Sequence, residues 1–233
     1  MTATVSVSTG RPADQDAGSG LVTPAILSAG FFAVSLVIGV VFGGSVYSSP
    51  FADDGKIQAF YTDHGTLVQF VAFFQFAAAL TLGVFVAALW ARLRALAPGY
   101  ATLTYTAVIG GGMAATFLAL NSVVQWSMSH PAVIESAPVR RGLHYLFFGL
   151  GGFAHVAAIG VFVGAVSLVA LRARLLPGWF TAASLLFAGL GVLSTFTFVT
   201  ESTTLLIPLG RFPTLIWQVA IAFMLPKLVR ATR

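Results

Sequence analysis

The 233-residue chain contains no cysteine, and charged residues make up only 8% of it. The absence of cysteine excludes disulfides, thiolate metal ligands and cysteine nucleophiles. Soluble domains carry about 25% charged residues, about three times the fraction in this chain. Hydrophobic residues make up 58% of the chain, so it does not fit the soluble class. Most of the apolar runs have about 20 residues or more, enough to cross a bilayer core of about 30 Å as helices. The composition therefore predicts an integral membrane protein.

The sequence also lacks the alternating segments of about ten residues that are typical of membrane β-barrels. We therefore predict an all-α protein, a bundle of six transmembrane helices. Residues 1–20 are rich in serine, threonine and glycine without apolar periodicity, which predicts a disordered cytoplasmic tail. Residues 21–233 form the predicted transmembrane domain. Its predicted spans are residues 21–47, 64–89, 101–126, 142–174, 179–200 and 213–228.

The basic residues predict the orientation of the bundle. Eight lysines and arginines fall on the side of the two termini, and four fall on the opposite side. By the positive-inside rule, this difference places both termini in the cytoplasm, in a protein of the cell membrane. Because the basic residues lie at helix ends and form no patch, nucleic acid is not an expected partner. The expected partners are the lipid bilayer, a small molecule and further copies of this chain.

Two segments of similar sequence, residues 91–107 and 170–186, lie 79 residues apart, and each contains a Pro-Gly turn. With a shift of one residue, the same alignment pairs His64 with His144. This similarity predicts that helices 2 and 3 are a degenerate parallel copy of helices 4 and 5, and repeat interfaces are common places for sites in membrane proteins. The alternative is that turns on the inner side of membrane hairpins converge on Arg-rich, Pro-Gly sequences.

Two histidines, His144 and His155, lie eleven residues apart in the fourth predicted helix. Eleven residues return to nearly the same helix face about 16 Å farther along, so both imidazoles are expected to face the same way. An ionisable group in an apolar run is costly in lipid and indicates a functional site. His64 and His144 are predicted at the outer rim of helices 2 and 4. There they could bind haem axially or, with Asp63, a divalent metal.

This layout resembles, in architecture only, the six-helix transmembrane b-type cytochromes, which bind haem through histidines on paired helices. The resemblance implies haem b between His64 and His144, with His155 deeper in the bundle. The sequence departs from that family in one respect. Those proteins use two histidine pairs, whereas Gln75 stands here where a partner of His155 would be expected.

The remaining amide and acidic side chains of the spans lie in their outer halves, and the inner halves are mostly apolar. This asymmetry predicts an outward-facing pocket closed below by apolar packing, because an open channel would need polar groups through its full length. The first predicted function is haem or metal binding there, with electron transfer or metal-dependent chemistry. The alternatives are small-molecule binding or transport without a cofactor, and histidines that only stabilise the bundle. The predicted pocket-lining residues are Gln69, Gln75, Asn121, Gln125, Glu201 and Gln218.

Overall fold

The computed structural model describes residues 16–44 and 51–231, with side chains for residues 20–44 and 51–225. Over these ranges the chain is helical and has no strands. The α-helices are α1 Asp16–Gly43, α2 Asp54–Leu96, α3 Ala101–Ser127, α4 Pro131–Glu135, α5 Ala137–Gly149, α6 His155–Arg172, α7 Gly178–Leu193 and α8 Leu206–Ala231. Short 3₁₀ turns cover Pro98–Tyr100, Ser194–Phe198 and Glu201–Leu205, and a π turn covers Leu150–Ala154.

The described residues contain six helices long and apolar enough to cross a membrane. They are α1, α2, α3, the fourth span made of α5, the π turn and α6, then α7, and α8. The prediction of an all-α fold with six helices able to cross a membrane is therefore confirmed over the described residues. The internal repeat of helices 2 and 3 in helices 4 and 5 stays a prediction.

The six spans form a ring in which each packs mainly on its neighbours in the chain, and α8 closes the ring against α1. α6 also contacts α8, and the fourth span is the most buried of the six. Side chains of the fourth span therefore reach several other helices.

We call the end that carries α4 and the connection between α7 and α8 the upper end. The opposite end, which carries the 3₁₀ turn before α3, is the lower end.

The lower half of the bundle is an apolar core. Phe85 of α2 meets Phe162 of α6 edge to face at 6.2 Å between ring centroids, and Phe162 meets Trp217 of α8 at 5.6 Å. Gly110 of α3 lies so close to α6 that an added Cβ atom would come within 2.8 Å of the Phe162 backbone nitrogen. Aromatic burial and close backbone approach stabilise this half of the bundle.

At the upper end, polar contacts fix the start of α2. The Asp53 carboxylate caps the helix by accepting a 2.9 Å hydrogen bond from the Lys56 backbone N–H. This hydrogen bond holds the pKa of the Asp53 carboxyl below its ordinary value. Arg141 of α5 forms a 2.6 Å ion pair with Asp54 and also donates to the Ala52 carbonyl at 3.0 Å. The first turn of α2 is thereby tied to α5.

Several helix boundaries differ from the predicted ones. α1 begins at Asp16, before the predicted start at residue 21, and ends at Gly43. The predicted tail up to residue 15, and the predicted end of this span at residue 47, lie outside the described residues. α2 begins at Asp54 and continues through a kink at His64, where φ is −122° and ψ is 21°.

The fourth span is interrupted. α5 ends at Gly149, the π turn follows, and α6 begins at His155. Within the π turn, Gly152 has φ −80° and ψ −107°, which is outside the helical region. A π turn accommodates more residues per turn than an α-helix and often occurs at functional sites. The eleven-residue spacing of the two histidines therefore does not follow regular α-helical geometry.

α8 begins at Leu206, seven residues before the predicted start at residue 213. Proline is tolerated in the first turn of a helix, where Pro208 lies. Membrane helices also tolerate proline farther in, as at Pro213, because neighbouring groups can satisfy the freed carbonyl. As a result, Arg211, which the prediction placed in a connection, lies in the second turn of a transmembrane helix.

Candidate functional site

His144 forms a buried pair with a tyrosine from another helix. Its Nδ1 atom lies 3.1 Å from the hydroxyl of Tyr61 on α2. Both residues are almost wholly buried, and the ring of Phe147 stacks against the imidazole. Because a buried polar atom must find a hydrogen-bond partner, this pair anchors α5 to α2. His144, predicted for an outer rim, is therefore a buried residue.

His64, the predicted partner of His144, is half-buried at the kink in α2. Its ring meets that of Phe60 at 5.3 Å, and the neighbouring Asp63 is exposed. Over the residues that the structure describes, no group of three or more histidine, aspartate or glutamate side chains is placed to hold a metal ion. Metal binding by Asp63, His64 and His144, and haem binding by the histidines, stay predictions.

His155 contacts a different helix from His144. Its Nδ1 atom lies 2.9 Å from the backbone carbonyl of Ala114 on α3. Because a carbonyl oxygen can only accept, Nδ1 must carry the proton. The expectation that both imidazoles face the same way required a continuous α-helix, and the π turn between them removes that condition. The structure thus assigns each histidine its own partner helix.

Two predicted pocket residues, Gln75 of α2 and Asn121 of α3, lie side by side. The Asn121 Nδ2 atom donates to Gln75 Oε1 at 3.0 Å, and both side chains are buried. Gly151 of the π turn packs against this pair so closely that a Cβ atom there would collide with the Asn121 amide. The sequence needs glycine at this position because the helix backbone and the amide pair share the same space.

A cavity of about 220 Å³ lies beside the amide pair in the upper half of the bundle. Residues of α1, α2, α3, the fourth span and α8 surround it. Its polar lining consists of Gln75, Asn121 and Arg211. Four phenylalanines form much of its apolar wall: Phe32, Phe147, Phe148 and Phe212. We call this cavity the arginine pocket.

A much smaller cavity, of about 20 Å³, shares Phe32 and Arg211 with the arginine pocket. His155 and Gln218 also line it. Gln218 is held in place because its Nε2 atom donates to the Ala25 carbonyl of α1 at 2.9 Å. A space of this size can hold about one water molecule. Arg211 therefore borders two cavities, one above the other.

Arg211 is positioned by packing on α1. Its guanidinium carbon lies 5.7 Å from the ring centroid of Phe32, within the range of a cation–π interaction. The Nε and Nη2 atoms are shielded from solvent. The arrangement presents a fixed positive charge inside a transmembrane bundle, beside the apolar walls of the arginine pocket.

The other predicted pocket residues lie elsewhere. Gln69 is exposed and donates to Ser129 Oγ at 3.2 Å, next to a separate apolar groove between α2 and α3. Gln125 is buried but does not line the arginine pocket, and Glu201 is exposed at the start of a 3₁₀ turn. Sequence reasoning missed Arg211 and the four phenylalanines. The available signal was one arginine within the apolar stretch from residue 205 to 225.

A six-helix bundle can host many activities, so the fold alone does not indicate a function. The residues of the site carry the functional information. Comparison of the chain with models of protein families, with curated proteins and with solved structures gave no match.

Proposed function

We propose that this protein binds a small amphipathic molecule in the arginine pocket. The observation that supports the proposal is the pocket itself, an apolar cavity into which five of the six spans direct side chains and which also carries a guanidinium and two amides. Binding sites for small molecules are typically concave and mostly apolar, with a few polar groups that fix the orientation of the ligand. An ionisable residue within a transmembrane helix also indicates a functional site.

The size of the cavity limits the ligand. At about 220 Å³, the pocket is below the roughly 300–1,000 Å³ of sites for drug-sized ligands. A molecule with a single ring or a short chain suits this volume. The phenylalanine rings would contact the apolar body, and the polar end would lie toward Arg211 and the amide pair.

Binding of a cofactor by His64 and His144 is a separate prediction with its own test. An absorption spectrum of purified protein, oxidised and then reduced, would show a Soret band that shifts if haem is bound. Elemental analysis of the same sample would reveal a divalent metal. A stoichiometric signal in either measurement would move the functional assignment from the arginine pocket to the histidines.

The proposal can be tested with three single-ring molecules that share one body: phenylacetate, 2-phenylethanol and 2-phenylethylamine. Protein in lipid nanodiscs is heated with and without each molecule, and the unfolding temperature is recorded. A ligand that binds only the folded state stabilises it by about 2.7 kcal/mol at a concentration 100 times its Kd. We expect at least one of the three to raise the unfolding temperature in a saturable manner.

A matched pair of variants on α1 shows where the molecule binds. Leu36 lines the arginine pocket, whereas Val37 is 59% exposed on the outer face of the same helix. Leu36→Trp should fill part of the cavity and abolish the stabilisation by ligand, and Val37→Trp should retain it. If none of the three molecules stabilises the wild-type protein, or if Leu36→Trp responds like wild type, the proposed function is wrong.

A further inference from the structure

The charged lining of the arginine pocket is positive only. Among the described residues that line this pocket and the small cavity below it, Arg211 carries the only fixed charge, and His155 is the only other residue with an ionisable side chain. The acidic residues of the upper end are all exposed: Asp53, Asp54, Asp63, Glu135 and Glu201. The pocket therefore offers a ligand one positive charge and no lining carboxylate.

The surroundings strengthen the effect of that charge. Interactions between charges are much stronger in an environment of low dielectric constant than in water. The guanidinium has two nitrogen atoms shielded from solvent and lies over the ring of Phe32. An arginine also presents a planar set of donors that matches a carboxylate or phosphate with two parallel hydrogen bonds. An anionic group would gain more here than a neutral one.

The remaining polar groups do not reverse this preference. Gln75 and Asn121 are neutral, and each uses one amide atom in the hydrogen bond between them. They can orient a ligand but contribute no charge. Because the lining has a single guanidinium, a ligand with one negative charge is neutralised, whereas a dianion would bring an uncompensated charge into an apolar space at high cost.

We propose that the ligand of the arginine pocket is an amphipathic monoanion, with its anionic group on Arg211 and a single ring or short apolar chain among the phenylalanines. This inference rests on the proposed function and specifies its ligand class. The same chemistry occurs in a free aromatic carboxylate and in a membrane lipid that carries one negative phosphate. The experiment below separates these two sources.

The three single-ring molecules of the preceding test differ mainly in charge, which is negative for phenylacetate, zero for 2-phenylethanol and positive for 2-phenylethylamine. Their dissociation constants are measured near neutral pH in nanodiscs of zwitterionic phosphatidylcholine. Hydrogen bonds to charged groups contribute about 1.5–3 kcal/mol, which corresponds to about 10- to 150-fold in affinity. We expect phenylacetate to bind about 10- to 150-fold more tightly than 2-phenylethanol, and 2-phenylethylamine to bind most weakly.

Three variants assign the preference to one side chain. Arg211→Gln removes the charge and should bring phenylacetate and 2-phenylethanol to within about threefold of each other, because the charge-assisted hydrogen bonds are lost. Arg211→Lys keeps the charge without the planar donor set and should retain part of the preference. Arg141→Gln removes one positive charge from the same end without altering the pocket lining, and it should behave like wild type.

The outcomes separate the ligand class from the site. If 2-phenylethanol binds wild-type protein as tightly as phenylacetate does, the monoanion inference is wrong and the proposed function stands. If none of the three binds, both are wrong. These comparisons use wild-type protein, so they hold even if Arg211→Gln does not fold. A preference that disappears in nanodiscs containing phosphatidylglycerol supports the same anion class and identifies an anionic lipid as the competing occupant.

Discussion

The upper and lower halves of the bundle differ in the regularity of their backbone and in their polarity. The lower half consists of regular helices around a core of apolar residues, among them Phe85, Phe162 and Trp217. The upper half contains the kink at His64, the π turn of the fourth span and the arginine pocket. Regular packing in one half supports an irregular backbone in the other.

This difference shows how the chain accommodates polar groups in a membrane. Non-helical backbone at membrane depth is tolerated where it is buried in protein or lines a cavity. Gly151 and Gly152 of the π turn meet that condition, since both line the arginine pocket. We therefore expect substitutions in the lower half to reduce global stability and substitutions in the upper half to act more locally.

The largest effect is expected from Gly110→Ala in the lower half. The new Cβ atom would come within 2.8 Å of the Phe162 backbone nitrogen and 3.1 Å of the Ala158 carbonyl oxygen. Because two helix backbones would have to separate, the free energy of unfolding should fall by about 1–3 kcal/mol. Unfolding in a denaturing detergent, monitored by circular dichroism, measures this change.

Gly112→Ala is the matched control on the same helix, because a Cβ atom there has no neighbour within 4 Å. It should leave the free energy of unfolding unchanged or raise it slightly, since alanine has the higher helix propensity. Equal losses in the two variants would show that helix propensity, and not the contact between α3 and α6, determines stability.

A smaller effect is expected from Tyr61→Phe in the upper half. The variant removes the hydroxyl that lies 3.1 Å from His144 Nδ1 and should cost about 0.5–1.5 kcal/mol. Hydrogen exchange should become faster in residues 137–149 and remain unchanged in the lower half. Tyr145→Phe, which removes the hydroxyl of an exposed tyrosine on α5, the helix of His144, is the control. Faster exchange throughout the bundle would contradict the separation into two halves.

The smallest effect is expected from the exposed cap of α2. The pKa of the Asp53 carboxyl in the folded protein lies below its ordinary value. Ionised Asp53 therefore contributes its full stabilisation of the cap at pH values above the pKa of the unfolded chain, about 3.9. That contribution falls as pH drops through the lower, folded pKa. The NMR shift of the Lys56 amide should therefore move at acidic pH in wild type. It should not move in this way in Asp53→Asn, which keeps a capping oxygen without the charge. A shift that titrates equally in both proteins would exclude Asp53 as its cause.

The overall fold could be predicted because length and apolar character alone decide whether a helix can span a bilayer. The third span was predicted at residues 101–126 and is observed at Ala101–Ser127. Polar asymmetry also pointed to the upper half, and Gln75 and Asn121 do line the pocket found there. These features depend on composition and periodicity, which a sequence states directly.

The missed features depend on geometry that composition does not contain. Arg211 was placed, with Pro208, in a connection that ended before Pro213, although both proline positions are tolerated in a membrane helix. The facing of His144 and His155 was inferred from a uniform α-helix. The π turn between them depends on contacts with neighbouring helices, such as that of Gly151 with Asn121, which helical periodicity does not contain.

The π turn sets which side chains of α5 face the pocket. It holds more residues per turn than an α-helix, so α5 is rotated back relative to α6 compared with a regular helix of the same length. If residues 150–154 closed as ordinary α-helix with every residue kept, α5 would turn by about 100° relative to α6. His144 would then turn away from Tyr61, and Phe147 would leave the pocket wall. The site can thus be abolished by a change of backbone conformation in five residues, with every residue that lines the pocket still present.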